Sequence, residues 1–155
     1  MNTGDTGFMI ICAALVFFMT PGLAFFYGGL VRRKNVCNTM MACVSIMGIS
    51  VIMWVLFGYS LAFGGDHGGI IGDLRWLGLN DVGMEAGPYS DTIPHLVYCA
   101  FQMMFAMITP ALLTGSLVGR VRFKALVFFV ILWSVVVYYP LAHMVWGKGG
   151  LLAEM

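Results

Sequence analysis

Three stretches of this chain run for 19 residues or more without a lysine, arginine, aspartate or glutamate: Phe8 to Phe26, Val36 to Phe63 and Leu96 to Val118. A fourth, Phe123 to Trp146, has only Lys124 at its start and His143 near its end. A helix rises about 1.5 Å per residue, so the 23 residues from Leu96 to Val118 span about 34 Å. A hydrocarbon core is about 30 Å thick. Unpaired backbone amides are not tolerated there, so such runs cross as helices. The composition agrees: 61% of residues are hydrophobic and 10% charged, against roughly 45–50% and 25% in soluble domains. The fold class is therefore all-α, a polytopic bundle of four spans.

Pro21 and Pro110 fall inside the first and third runs, where a lost donor is expected to bend a span or end its regular part. At 28 residues, Val36 to Phe63 is longer than one crossing needs and should tilt or project. Arg32, Arg33 and Lys34 lie between the first two spans, and Arg120, Arg122 and Lys124 between the last two. The segment from Gly64 to Ile93 has one basic residue, Arg75. Counting lysine and arginine alone, these two short turns face the cytoplasm, and the N-terminus and the 64–93 segment lie outside. That segment, rich in glycine, aspartate and proline, reads as an ordered external cap with a short helix around Trp76. Its Asp66-His67 pair reads as solvated loop. The N-terminus has no basic leader and is read as a retained first span.

Phe101 and Phe105 are four residues apart and share a helix face, with Gln102 beside them. Trp146 ends the fourth span on the same external side. Three aromatics at one depth could form a π-lined collar for a cation. The same residues also suit plain packing and an interfacial belt. His143, three residues before Trp146, is either functional or satisfied by a neighbouring backbone group; Gln102 either meets a substrate or joins helices. Gly48, Gly58, Ala106, Gly115 and Gly119 should let helices approach closely. Cys12, Cys37, Cys43 and Cys99 have no CxxC spacing and read as small core thiols. Nothing indicates a cofactor, a resident metal, a soluble-enzyme motif or nucleic-acid binding.

The stretch Ala24-Phe25-Phe26-Tyr27-Gly28-Gly29-Leu30-Val31-Arg32-Arg33-Lys34-Asn35 closely resembles the ammonium transporter (Amt/Rh) family. Met19 to Leu23, Phe101 to Ala106 and Ala142 to Gly147 resemble it in the same order. The resemblance implies that Phe101 and Phe105 lie in the external vestibule, Phe105 in the outer gate, and Trp146 in the external ammonium site. It implies a plasma-membrane homotrimer with one pore per protomer, about eleven helices in two inverted halves, and in many bacteria a cytoplasmic nitrogen-regulatory signal protein as partner. By that pattern the chain is an N-terminal fragment without the twin pore histidines, the vestibule serine and the second gate phenylalanine. Alone it is not expected to transport. Two positions depart from the pattern: Gly119 stands where an acidic residue is common, and Lys148 puts a positive charge near the proposed mouth. A sensor built on the same fold, and a small four-helix subunit of an electron-transfer complex, are the alternative readings.

Overall fold

The computed structural model describes residues 1–117, 119–153 and 155. The first helix, α1, runs Thr3–Leu30, and its N-cap Asn2 side chain accepts from the Gly4 amide. It continues through Pro21 without a break, against the expectation that its regular part could end there. A proline deletes one helical hydrogen bond, and the nine residues that follow restore the ladder. A short 3-10 turn at Arg33–Asn35 leads into α2 (Val36–Met53), a π turn (Trp54–Gly58) and α3 (Tyr59–Phe63), one continuous apolar span.

The segment between the second and third spans holds two small antiparallel ladders. β1 (Asp66–His67) pairs with β2 (Ile71–Gly72), and β3 (Ala86–Gly87) with β4 (Ser90–Pro94). A 3-10 turn at Leu77–Leu79 follows the buried Trp76, one residue beyond where a short helix was expected. Helix α4 (His95–Leu117) starts directly from β4. Its first amides, on His95 and Leu96, donate to the Glu85 and Gly83 carbonyls, so the cap segment satisfies groups that a helix start leaves free. The expected end at Val118 lies outside the described residues. The last span is α5 (Phe123–Trp133), a second π turn (Ser134–Tyr138) and α6 (Tyr139–Trp146).

Helices α1, α2 and α4 pack on one another, and α3 packs on α6. The second contact is made of aromatic rings. Trp54 is 1% exposed and its ring lies 5.7–6.2 Å from those of Tyr59, Phe63 and Tyr139. The Tyr139 ring lies against Gly58 inside the first π turn, where a β-carbon would come within 2.7 Å of it. A π turn displaces side chains from the ordinary helical register; here it turns the glycine toward the ring.

The small residues expected at helix contacts divide by role. A β-carbon on Gly115 would stand 2.5 Å from the Tyr27 ring, whose hydroxyl donates to the Leu112 carbonyl at 3.1 Å. Gly115 is thus the close contact between α1 and α4. Gly119 has φ +74° and open space around it, so it serves the turn. Gly48 also faces open space, with nothing among the described residues within 4 Å of where a β-carbon would stand. The cysteines divide likewise: Cys43 and Cys99 are buried, whereas Cys37 is exposed and Cys12 half-buried.

Asn2 donates its amide to Thr92, which puts the N-terminus beside the 64–93 segment. Leu30, Arg32, Gly119 and Arg120 border one depression at the opposite end. The two ends of the bundle therefore differ in charge as the sequence suggests.

Candidate functional site

Helix α4 makes the third span and α6 ends the fourth, which returns, so the first turns of α4 lie toward the same end of the bundle as the last turns of α6. Phe101 and Phe105 stack edge to face, with ring centres 5.2 Å apart. Phe105 also forms part of the wall of a cavity of about 280 Å³. Across from it on that wall stand Trp133, Tyr138, Leu141, Val145 and Trp146, and Thr109 lies one turn below. Phe105 and Trp146 thus border the same space. Phe101 does not line it and reaches it only through its stack on Phe105.

Among the described residues no charged side chain lines the cavity. Its one aliphatic hydroxyl, on Thr109, donates to the Phe105 carbonyl at 2.6 Å. Trp146 is 53% exposed and Phe105 half-buried, so this chain presents an aromatic rim and an apolar interior. Gln102 is half-buried on the same turn as Phe101 and lies outside the cavity wall.

His143 does not enter the cavity. It is completely buried, and its Nδ1 lies 3.1 Å from the Ala62 carbonyl. Its Nε2 lies 3.1 Å from Asp66 Oδ1. Asp66 is exposed, as read from the sequence, and it also has a partner in the bundle. Its carboxylate leaves β1 to meet a buried imidazole and also accepts from the Gly69 amide at 2.7 Å. The signal for this contact was present in the sequence: a histidine inside a span needs a partner, and Asp66 follows the second span by three residues. What the sequence lacks is the return of the chain that brings residues 77 apart together. Among the described residues no group of three or more potential metal ligands forms around Asp66-His67 or elsewhere.

The hydrogen bond from His143, with that from the Gly69 amide, holds the Asp66 carboxyl below the usual carboxylate range, outweighing partial burial. A carboxyl depressed in the folded state contributes stability that is complete above its unfolded value and is lost as pH falls through the folded one. Amide exchange across residues 66–72 should therefore be flat from pH 5 to 8 and quicken only below about pH 4, as read by hydrogen–deuterium exchange corrected for intrinsic rates. Loosening that begins at neutral pH would contradict the assignment.

Lys148 is held at the rim of the cap. Its backbone amide donates to the Tyr89 hydroxyl at 3.2 Å, and its Nζ lies 5.9 Å from the centre of the Tyr89 ring. Tyr89 in turn donates to the Phe63 carbonyl and stacks on Tyr98 at 5.2 Å. Burial pushes the Tyr89 phenol up, so it stays a donor. Lys148 does not line the cavity shared by Phe105 and Trp146.

Four apolar helices, an ordered cap on one end and an apolar cavity beneath it define a multi-pass α-helical membrane protein. The profile of the Ammonium Transporter Family matches residues 7–155, and the chain belongs to that family. It is 53% identical over 149 residues to an ammonium transporter of Bacillus subtilis, covering 96% of this chain and 37% of that protein. A putative ammonium transporter of Methanothermobacter thermautotrophicus is 46% identical over 151 residues. Among solved structures, Candida albicans Mep2 superposes with a TM-score of 0.88 at 31% identity, covering 99% of this chain and 34% of that one. A sensor Amt protein shares the fold at 24% identity, with a TM-score of 0.84. The chain thus spans a little over a third of the length of these relatives.

Proposed function

We propose that these residues form the external recognition face of an ammonium pathway. The observation that carries this reading is the cavity bordered by both Phe105 and Trp146. Moving a bare ammonium ion into an apolar space carries a large desolvation cost. Rings at the rim offset part of it by cation–π contact, at about 0.5–2 kcal/mol each. Phe101 extends the aromatic surface outward through its stack on Phe105. Beyond the rim the uncharged lining suits neutral ammonia, the proton taking a separate route. The function is ammonium/ammonia transport across the plasma membrane, with the N-terminus and the 64–93 segment outside, in a homotrimer that a cytoplasmic nitrogen-regulatory signal protein can block. The family supports the substrate, and the six cations at the two short turns support the orientation.

The electron-transfer reading needs imidazoles free to bind haem iron within the spans. His143 commits both ring nitrogens to Ala62 and Asp66, and His95 Nε2 faces the Tyr59 hydroxyl at 2.6 Å. The deciding measurement is electrical recording from proteoliposomes of the intact protein. An ammonium pulse is expected to evoke a saturable current that an equal potassium pulse does not. Equal responses to both ions, or none to either, would remove the proposal.

A further inference from the structure

Both ring nitrogens of His143 face acceptors. The Ala62 carbonyl, 3.1 Å from Nδ1, can only accept. An ionised Asp66 carboxylate, 3.1 Å from Nε2, can also only accept. A neutral imidazole has one N–H and cannot serve both. Either the ring carries two protons or the carboxyl carries one.

The surroundings choose between these. His143 lies in the last turn of α6, and Ala62 lies in the last turn of α3. The carbonyl end of α3 therefore meets the ring, which itself sits in the last turn of α6, and the negative pole of a helix favours a cation. Asp66 is partly open to solvent and accepts a second hydrogen bond from the Gly69 amide, which favours its ionised form. The one other imidazole near the carboxylate is His67, its exposed neighbour. Both groups of the pair are thus placed to be charged.

We propose that His143 is a doubly protonated imidazolium paired with the Asp66 carboxylate, and that this ion pair is a positioning clasp for the end of α6 that carries Trp146. The chain after α6 is built around it. The Gly147 amide donates to the His143 carbonyl at 2.8 Å, and those of Leu152 and Ala153 donate to the Met144 carbonyl. The Leu151 amide donates to Gly69 in the turn that Asp66 caps, at 3.0 Å. Gly147 and Gly150 leave no room for a β-carbon beside His143. One carboxylate thus ties β1, the turn at Gly69 and the end of α6 together. The consequence for Trp146 rests on its proposed role in recognition; the charge state and the clasp do not.

The test is 15N NMR of the histidine rings in the intact protein, labelled and reconstituted in nanodiscs near pH 7, with Asp66→Asn and Asp66→Ala beside it. In the unsubstituted protein both His143 nitrogens should carry hydrogen. Asp66→Asn supplies an amide donor to Nε2, so the ring should become neutral with hydrogen on Nδ1 alone. In that variant the Gly147 and Leu152 amides should stay protected. Asp66→Ala removes the partner, and exchange at those two amides should rise at least tenfold. A singly protonated ring in the unsubstituted protein, or a ring still doubly protonated in Asp66→Asn, would overturn the ion pair. Unchanged exchange in Asp66→Ala would overturn the clasp. If the alanine variant does not fold, the asparagine spectrum decides. None of these readouts depends on transport, so a failure here is distinct from a failure of Trp146 as a recognition residue.

Discussion

Replacing Trp146 with leucine should raise the ammonium concentration that half-saturates the evoked current by about 2- to 30-fold, the equivalent of about 0.5–2 kcal/mol of lost cation–π contact. Leucine keeps apolar volume at the wall of the cavity and removes the π face. The indole is 53% exposed and lies at the end of α6, so its loss leaves the buried core untouched. The maximal current should change much less than the half-saturating concentration, because the apolar lining below the rim remains. A maximal current that collapses while the half-saturating concentration stays put would place Trp146 in folding or conduction instead of recognition.

The second large effect lies away from the rim. Trp54→Ala should cost about 3–5 kcal/mol, the range for deleting a fully buried aromatic. The ring touches Tyr59, Phe63 and Tyr139, and so joins the C-terminal part of the second span to the last span. Without it the contact of α3 with α6 has a void at its centre. Thermal unfolding in detergent should shift down sharply, and the folded yield should fall. Phe128→Ala is the comparison: its ring is 68% exposed on α5 within this chain, and the substitution should move the transition far less. Equal shifts for the two would mean that the aromatic cluster does not hold these spans together.

Much of the architecture was written in hydropathy. A run without charge, long enough to cross, has few alternatives in a bilayer, and all four runs form helices long and apolar enough to cross. Their details were not legible. The π turns at Trp54–Gly58 and Ser134–Tyr138 leave no mark in composition, because an extra residue in a turn preserves an apolar run while it rotates the side chains beyond it. The two small ladders of the cap were hidden for another reason. Two-residue strands are too short to show alternation, and their pairing depends on the helices that bring them together.

The candidate site divides in the same way. Phe101 and Phe105 on one face followed from helical spacing, and their stacking agrees. That Phe105 shares a wall with Trp146 required the bundle to bring α4 and α6 to the two sides of one cavity, which no local pattern encodes. Trp133 and Tyr138 on that wall went unnoticed, since aromatic residues in an apolar run look like packing. Asp66 and His67 are exposed, as a solvated loop pair should be, but the bond from Asp66 to His143 went unseen because its partner lies 77 residues away.

On the proposed reading, an ammonium ion is met by the Phe105 and Trp146 rings at one opening. The most direct measurement is a high-resolution electron cryomicroscopy map of the intact protein with a methylammonium or caesium surrogate bound. Density for the cation is expected within about 6 Å of the Trp146 ring centre, at the mouth of the cavity that Phe105 helps to wall. Density confined to another face, or a Trp146 ring turned into lipid in the intact protein, would contradict the account.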